Sequence, residues 1–354
     1  MREKLMMKGT EAMGEAAVRA GCRLYFGYPI TPQSELTEYM ARRLPEVKGS
    51  FLQAESEVAA VNMVYGAACT GKRVFTSTSS PGFSLMMEGL SYIAGAELPS
   101  VFINVVRGGP GLGDIQPAQS DYFQAVKGGG HGDYHCIVLG PSTIQEAVEN
   151  VFLAFSLSDK YRIPTIILAD GLLGQMMEPV ELPEFLDLST LEKHEKWAHN
   201  EYGMKAKKIT SFDIDPYELE KMNHRYQENY RKITKHEIRV EEYMMEDADI
   251  TLVAYGTMAR ILKTVIKSAR EKGIKAGLVR PVSLWPFPAK AIEEAAKKSR
   301  LMMVYEMSEG QMVEDVLLSA KNQVKTAFYG RSGGVVPTPS ECFEALKKEL
   351  EGLK

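Results

Sequence analysis

Glu57 is the side chain in this sequence that is best placed for proton chemistry. It follows a short predicted strand and opens a segment of small residues, Glu-Val-Ala-Ala, that is typical of a packed helix. A carboxylate in the first turn of such a helix can be half buried, and burial changes how readily it holds a proton. Thr31 and Arg107 also follow predicted strands, so the ends of parallel strands would bring all three residues to one edge of a sheet.

Thr31 lies in a stiff loop, Gly-Tyr-Pro-Ile-Thr-Pro, at 27–32. Its two prolines restrict the backbone, and Pro32 suits the first turn of a helix. The Thr31 hydroxyl would then lie beside the free N–H groups of that helix, where it can contact a ligand or cap the helix. Both interpretations of Thr31 stay open on the sequence.

A second polar loop, Ser-Thr-Ser-Ser-Pro-Gly at 77–82, follows a predicted strand and opens a helix. One hydroxyl is enough to cap a helix. Four hydroxyl residues in succession therefore suggest, besides capping, the edge of a site for an anion or a cofactor.

Arg107 ends an almost continuous apolar run, 101–106, which is typical of a strand that helices cover on both faces. Glycine and proline dominate the residues after it, so a ligand can approach the backbone closely. A guanidinium in this position can bind a carboxylate through two hydrogen bonds. The competing interpretation is an internal salt bridge to an acid such as Asp121.

Two motifs that suggest other chemistry fit poorly. The glycines at 109–113 lack the Gly-x-Gly-x-x-Gly spacing, and no predicted helix follows them, which argues against a dinucleotide site. His131 and His135 resemble a metal-binding pair, but the glycines around them would hold ligands poorly, so polar loop residues are the favoured interpretation. No two cysteines have the Cys-x-x-Cys spacing from which a local pair could build an iron–sulfur or zinc site. The four are Cys22, Cys69, Cys136 and Cys342.

Strands and helices alternate through the first 170 residues and again near the end of the chain. Such alternation is typical of a doubly wound parallel sheet with helices on both faces, so the predicted fold class is α/β. A chain of 354 residues exceeds what one hydrophobic core usually serves. We divide it into a first domain at 1–177, a helical linker at 178–247 and a smaller α/β domain at 248–354. The strands are expected near 23–26, 50–53, 73–78, 101–106, 136–139, 165–169, 250–255, 276–279, 302–305 and 326–329.

The linker is charged and poor in β-branched residues. A polar helix is predicted from Pro216 to about Met245, with one apolar stripe. We interpret it as a linker helix with a single buried face, and an arm that docks on a partner is the alternative. The stripe consists of Tyr217, Met222, Tyr226, Tyr230 and Ile233.

The overall composition, with 45% hydrophobic and 25% charged residues, is that of an ordinary globular protein. A formal net charge of −4 provides no basic surface for nucleic acid. No run reaches the roughly 18 apolar residues that a membrane span needs, and the first residues lack the apolar segment of a secretion signal. We therefore expect a cytoplasmic protein that binds neither nucleic acid nor membrane.

In their order along the chain, the motifs resemble those of the α subunit of the 2-oxoacid:ferredoxin oxidoreductases. The similarity is to the separate-subunit branch that acts on 3-methyl-2-oxobutanoate (2-ketoisovalerate) or 2-oxoglutarate, and it covers nearly the whole chain. It rests on the segments 27–32, 53–60, 78–82 and 107–111, and on Arg-Pro at 280–281 with Leu-Trp-Pro-Phe-Pro at 284–288.

The resemblance implies a thiamine diphosphate enzyme that oxidatively decarboxylates a 2-oxoacid to acyl-CoA and CO2 and passes the electrons to ferredoxin. Its first domain would be the pyrimidine-binding domain and its last a transketolase C-terminal-like domain. Glu57 matches the family glutamate that contacts the aminopyrimidine ring, although Glu55 is close enough in sequence to compete for that role. Thr31 and Arg107 match residues that hold the 2-oxoacid. Further cofactor contacts are expected from Tyr28, Pro29, Ser79, Ser80 and Gly82.

Enzymes with this cofactor bind its diphosphate through Mg2+ at a Gly-Asp-Gly motif with asparagines downstream, and this sequence lacks that motif. The chain would therefore supply part of an active site and no metal ligand. By resemblance, a β subunit would carry the diphosphate, Mg2+ and a [4Fe–4S] cluster, usually with a γ subunit and a ferredoxin-like δ subunit. Coenzyme A would be the co-substrate, and the isolated chain should be inactive.

Two other functions are kept as alternatives. The chain could be a non-catalytic scaffold subunit of the same complex, in which case Glu57 would be dispensable for activity. It could instead be a nicotinamide-linked dehydrogenase, which would bind NAD as a lone chain.

Overall fold

Continuous apolar runs form the central strands of the larger sheet. In the computed structural model, which describes residues 4–191, 194, 196–199 and 207–353, the strands at Ser100–Val106 and Pro164–Asp170 are buried along their whole length. Strands with apolar side chains on both faces are stable inside a sheet that helices cover on both sides. These two strands pair in parallel and form the centre of such a sheet.

Helices and strands alternate in the first part of the chain, as the sequence predicts. The helix that the 77–82 loop is predicted to open is in fact two helices, which meet at Met86. The elements are β1 (Lys4–Lys8), α1 (Gly9–Arg19), β2 (Leu24–Gly27), α2 (Ser34–Glu46), β3 (Ser50–Gln53), α3 (Glu57–Ala68), β4 (Val74–Thr78), α4 (Ser80–Leu85), α5 (Met87–Gly95), β5 (Ser100–Val106), α6 (Tyr122–Val126), β6 (Ile137–Leu139), α7 (Ile144–Tyr161), β7 (Pro164–Asp170), α8 (Gly171–Gln175) and β8 (Met177–Glu181).

The remainder of the described chain contains a long helix and a second α/β unit. A single 3-10 turn at Leu188–Thr190 precedes them. The elements are α9 (Pro216–His236), β9 (Val240–Tyr243), β10 (Ile250–Val253), α10 (Gly256–Glu271), β11 (Ala276–Pro281), β12 (Ser283–Trp285), α11 (Ala289–Lys298), β13 (Leu301–Glu306), α12 (Met312–Ala320), β14 (Thr326–Gly330) and α13 (Pro339–Glu351).

The strands form two main sheets. The larger has the order β12–β6–β7–β5–β4–β2–β3 and is parallel except at its edge strand β12. The smaller has the order β14–β13–β10–β11–β9 and is parallel except at its edge strand β9. Alternate residues of β5 enter different cores: Phe102 packs with residues of α3 and α5, and Ile103 with residues of α1 and α7. Helices thus cover both faces, and the predicted α/β class is confirmed.

Helix α9 is shorter than predicted. It ends at His236, and the residues that were expected to continue it form β9, which pairs antiparallel with β11. The buried Glu237 terminates the helix because its carboxylate accepts hydrogen bonds from Lys160 (2.8 Å) and Tyr161 (2.6 Å) of α7. Of the predicted stripe, Tyr226, Tyr230 and Ile233 are buried, whereas Tyr217 is 74% exposed. No helix in the described part of the chain is long and apolar enough to cross a membrane.

Four short strands, β1, β8, β9 and β12, are not predicted from the sequence. Strands β1 and β8 form a separate antiparallel ribbon, and β9 and β12 lie at sheet edges. Elements of three to five residues in such positions show too little hydrophobic periodicity to be recognised from the sequence.

Glutamine side chains join the two sheets at the carboxyl ends of their strands. The Gln119 amide donates to the Tyr255 carbonyl after β10 (3.0 Å), and its oxygen accepts from the Met307 backbone N–H after β13 (3.0 Å). In the opposite direction, Gln311 donates to the Ser120 carbonyl (2.7 Å). The segment that follows the Arg107 loop is therefore fixed between the ends of two strands of the smaller sheet.

A buried guanidinium provides a further link between the sheets. Arg280 of β11 is 5% exposed, and it donates to Glu146 at the start of α7 (2.7 Å and 3.0 Å) and to Glu241 of β9 (2.6 Å). Bidentate pairs of this kind fix relative orientation as well as adding energy.

Arg280→Met should lower the free energy of unfolding by about 3 kcal/mol, because it leaves Glu146 without its cationic partner and Glu241 with Lys263 alone. Lys325→Met is the matched control: Lys325 pairs with Glu349 at the surface, and its loss should change stability by about 0–1 kcal/mol. Urea unfolding of both variants measures the difference, and equal losses would show that Arg280 does not link the sheets as described.

Candidate active site

Glu57 is the first residue of α3 and lies at the carboxyl end of the larger sheet. Ser56 caps the helix through its hydroxyl, which accepts from the Ala59 N–H (3.2 Å). The buried face of α3, which includes Val61 and Val64, packs into the core that α5 shares. This packing leaves the Glu57 side chain 4% exposed. The carboxylate predicted to be half buried is therefore almost fully buried.

Gly82 makes room for the Glu57 carboxylate. A β-carbon at Gly82 would come within 2.4 Å of Glu57 Oε1 and 2.2 Å of Thr78 Oγ1. Both oxygens thus lie against the glycine at the start of α4. Among the residues that the structure describes, no side chain or backbone N–H donates a hydrogen bond to this carboxylate. A buried carboxylate without a donor is available to a hydrogen-bond donor from a ligand.

Glu55 lies in a different environment. It precedes the N-cap of α3 and is exposed to solvent. Of the two acids, Glu57 alone is enclosed by the protein at this edge of the sheet, and Glu55 is in solvent.

The hydroxyls of the 77–82 loop differ in their hydrogen-bond partners. Ser77 bonds to Tyr25 and Gln33 inside the protein (2.8 Å each), and Ser80 belongs to a network with Asp121. The hydroxyls of Thr78 and Ser79 are buried and have no hydrogen-bond partner among the described residues. Ser79 occupies the N-cap position of α4 without a side-chain capping bond in that part of the chain. Unpartnered buried hydroxyls next to Glu57 are consistent with the expected contact to a ligand.

Arg107 emerges from β5 with its guanidinium directed to carbonyl groups. It donates to the Thr31 carbonyl (2.9 Å) and to the Leu112 carbonyl (2.9 Å), and its buried Nε has no partner within the described residues. Asp121, the acid suggested as a salt-bridge partner, instead accepts from Ser80 (2.7 Å). The internal salt bridge is therefore wrong, and the positive charge of Arg107 is left for another anion.

Thr31 lies beside Arg107 through its backbone. Its residue is exposed, and Gln33 rather than Thr31 occupies the N-cap position of α2, so the capping interpretation of Thr31 is wrong. Of the neighbouring residues expected to contact a cofactor, Tyr28 is 36% exposed and Pro29 is half-buried. The loop thus contributes one exposed hydroxyl and an exposed aromatic ring at the same edge of the sheet as Glu57.

Beneath Arg107, the sequence analysis missed Asn104 and assigned Asp121 the wrong partner. Asn104 and Asp121 are buried, and they bond to one another and to Ser80. Burial raises the pKa of the Asp121 carboxyl, and hydrogen bonds from Asn104 and Ser80 act in the opposite direction. A recognisable signal was available for Asn104, since it is a polar residue within the apolar run 101–106.

A cavity of about 630 Å3 adjoins the Arg107 loop. Residues from both sheets line it, including Ser80, Gly109 and Asp121 on one side and Ser308 and Gly333 on the other. The lining that the described residues provide contains no cationic side chain. The smaller sheet therefore contributes one wall of the space next to Arg107.

The two histidines suggested as a metal pair lie in different settings. His131 is exposed, whereas the His135 ring stacks on Trp285 with 4.5 Å between centroids. Burial lowers the pKa of His135. Across the described ranges, no group of three or more His, Cys, Asp or Glu residues is arranged to hold a metal ion.

Comparison with known families gives two adjacent matches. The family model described as pyruvate flavodoxin/ferredoxin oxidoreductase, thiamine diphosphate-binding, matches residues 15–245. The model described as pyruvate:ferredoxin oxidoreductase core domain II matches residues 248–342.

Two similar proteins are oxidoreductase or synthase subunits from Methanothermobacter species. The chain is 50% identical over 315 residues to ketoisovalerate oxidoreductase subunit VorB of Methanothermobacter marburgensis, which covers 89% of each chain. It is 36% identical over 374 residues to 2-oxoglutarate synthase subunit KorA of Methanothermobacter thermautotrophicus, covering 98% of this chain and 99% of the other.

Solved structures agree with the fold. A 2-oxoglutarate:ferredoxin oxidoreductase from Magnetococcus marinus, solved with 2-oxoglutarate, coenzyme A and succinyl-CoA, superposes with a TM-score of 0.85 at 26% identity. The match covers 98% of this chain but 65% of the other, so this chain spans less than two thirds of that polypeptide. A split-gene transketolase, at a TM-score of 0.62 and 17% identity, shares the fold.

Gly82→Ala should displace the Glu57 carboxylate and lower the free energy of unfolding by about 1–3 kcal/mol, because the added methyl group overlaps two buried oxygens. Gly66→Ala is the control. A β-carbon at Gly66, in the last turn of α3, meets nothing within 4 Å, so alanine there should stabilise the helix by about 0.5–1 kcal/mol. Urea unfolding that showed the same effect at both positions would contradict the close contact with Glu57.

Proposed function

Because the chain belongs to the family of 2-oxoacid:ferredoxin oxidoreductase subunits, we propose that Glu57 meets the aminopyrimidine ring of thiamine diphosphate and Arg107 binds the 2-oxoacid carboxylate. One observation carries this proposal. Glu57 is buried at 4% exposure, yet it accepts no hydrogen bond from the part of the chain that the structure describes. Such a group is stable when a ligand brings the missing donor.

The residues present fit this cofactor. When bound, thiamine diphosphate supplies the nucleophilic carbon and the electron sink that decarboxylation of a 2-oxoacid needs. Glu57 would hold a proton between its carboxylate and a ring nitrogen. Ser79 and Gly82 would border the ring, one through its free hydroxyl and the other through its lack of a side chain. Tyr28 and Pro29 would border the ring on its opposite side.

Arg107 and Thr31 would orient the substrate. The guanidinium carries a charge that its two carbonyl partners do not neutralise, so a carboxylate would gain a charge-assisted hydrogen bond there. The exposed Thr31 hydroxyl is the neighbouring group that can reach a second substrate oxygen. Glu57 and Arg107 would thus serve separate tasks, proton handling and substrate orientation.

An apolar rim supports the role of a partner subunit at this edge. Large hydrophobic side chains on the segments next to the site are exposed, among them Leu52 (44%), Val58 (45%), Leu85 (52%) and Leu112 (81%). Exposed apolar surface around a polar site is typical of a protein–protein interface. The similar proteins VorB and KorA are also named as subunits.

We extend the proposal to the composition of the complex. A β subunit covers the rim and carries the diphosphate site, Mg2+ and a [4Fe–4S] cluster, and γ and ferredoxin-like δ subunits complete the assembly. Coenzyme A accepts the acyl group and ferredoxin accepts the electrons. In this arrangement the present chain contributes half of a shared active site.

Glu57→Gln should lower the turnover of the purified complex by two to four orders of magnitude, the usual contribution of a proton-transfer group. Glu55→Gln is the matched control and should retain nearly full activity, because its carboxylate is in solvent. The assay follows 2-oxoacid-dependent reduction of a viologen in the presence of coenzyme A. Full activity of Glu57→Gln would favour the scaffold subunit, and tight NAD binding by the lone chain would favour a dehydrogenase.

For the substrate, we propose 2-ketoisovalerate over 2-oxoglutarate. The identity to VorB, 50%, exceeds that to KorA, 36%. In addition, the described lining of the cavity beside the Arg107 loop offers no cation for a second carboxylate. An apolar side chain can occupy such a space, whereas a carboxylate would be desolvated without a partner.

The complex should therefore use 2-ketoisovalerate with a kcat/KM at least about tenfold above that for 2-oxoglutarate, a preference of about 1.4 kcal/mol. Parallel assays with 2-ketoisovalerate, 2-oxoglutarate, pyruvate and phenylpyruvate provide the measurement. A preference for 2-oxoglutarate would mean that the partner subunit supplies the missing cation.

A further inference from the structure

We propose that Asp121 is a positioning residue for Arg107, and that it acts through Ser80 and Asn104. The inference rests on the proposed role of Arg107 in binding the 2-oxoacid and identifies what fixes the guanidinium in place. Asp121 lies at the start of α6, fourteen residues beyond Arg107 in the sequence. Its effect on the site must therefore pass through a defined set of contacts.

The contacts form a closed network under the end of β5. Asp121 Oδ2 accepts from Ser80 Oγ (2.7 Å) and from Asn104 Nδ2 (2.8 Å). Asn104 Oδ1 in turn accepts from the Ser80 backbone N–H (3.1 Å). Ser80 Oγ accepts from the backbone N–H of Arg107 (3.0 Å). One carboxylate thereby ties the start of α4 to the last residues of β5.

Burial makes this network rigid. Asp121 is 8% exposed and Ser80 9%, whereas Asn104 is fully buried, so water cannot readily replace the Asp121 oxygen at the Asn104 amide. Removing the acceptor would leave the Asn104 amide without a partner and the Ser80 hydroxyl with only the Arg107 carbonyl, at 3.3 Å, as its acceptor. A buried unsatisfied group is costly enough to make the backbone move. Arg107 would move with it, because its N–H is bonded to the same hydroxyl.

The network also explains why Arg107 does not pair with the nearest acid that the sequence suggests. Two neutral donors occupy the same oxygen of Asp121, and the guanidinium extends the other way, to the carbonyls of Thr31 and Leu112. Neutral donors stabilise the carboxylate without consuming a cation. The charge of Arg107 is thereby kept available for a ligand.

The test is a double-mutant cycle on substrate binding in the complex. All variants are made in the Glu57→Gln background, so binding of 2-ketoisovalerate can be measured by calorimetry without turnover. Asp121→Ala should weaken binding about tenfold, and Arg107→Met should weaken it by more. In the double variant the Asp121 change should have no further effect, because the group that it positions is gone. Asp121→Asn keeps the acceptor oxygen and should restore binding to within about threefold.

Each outcome decides between the claims. If Asp121→Ala weakens binding as much in the Arg107→Met background as it does alone, the positioning role of Asp121 is overturned. A failure of Asp121→Asn to restore binding would overturn it too. Unchanged binding in Arg107→Met alone would instead overturn the proposed substrate role of Arg107. Should Asp121→Ala fail to fold, Ser80→Ala removes the same link with a smaller change in volume, and the same cycle applies to it.

Discussion

The approach of the Glu57 carboxylate to the backbone of Gly82 is the contact on which the rest of the site depends. It requires a glycine, since any β-carbon would overlap the carboxylate oxygen. It also requires that α4 begin directly after β4 and that α3 return to the same edge of the sheet. Parallel pairing of β2 with β4 and of β4 with β5 meets this requirement, because parallel strands end on the same side. The topology of the larger sheet thus assembles residues that are far apart in sequence.

The smaller sheet stabilises this arrangement from the other side. Gln119 and Gln311 fix the segment after the Arg107 loop, and Gly334 packs against the loop itself, where a β-carbon would come within 2.9 Å of Asp114 Oδ1. Gly334 has a positive φ of 83°, which other residues adopt with strain. The Arg107 loop is consequently held between two sheets. The position of Arg107, a residue of the first domain, therefore depends on the second domain.

Local patterns in the sequence predicted most of the fold and the residues of the candidate site. The apolar run at 101–106 and the small residues after Glu57 reveal a strand and a helix because burial on two faces, or packing of a helix, leaves a local signature. The partners of Arg107 could not be found in this way, since Thr31 and Leu112 bind through carbonyls that every residue has. Asp121 is a similar case: its importance comes from contacts across 17 and 41 residues. The end of α9 depends likewise on contacts that Glu237 makes with another helix.

In the described protein, Glu57 and Arg107 lack the oppositely charged partners that some other buried side chains have. Glu15 is buried as deeply as Glu57, but Arg19, Tyr39 and Arg43 all donate to it at 2.8 Å. Arg280 is likewise buried and pairs with two carboxylates. Within the described chain, Glu57 lacks any donor and Arg107 any anion, although burial of an unpaired charge opposes folding. The well-paired network elsewhere offsets this cost. A ligand that brings a ring nitrogen to one group and a carboxylate to the other would remove this cost. Under the proposed function, binding free energy would therefore be concentrated at these two residues.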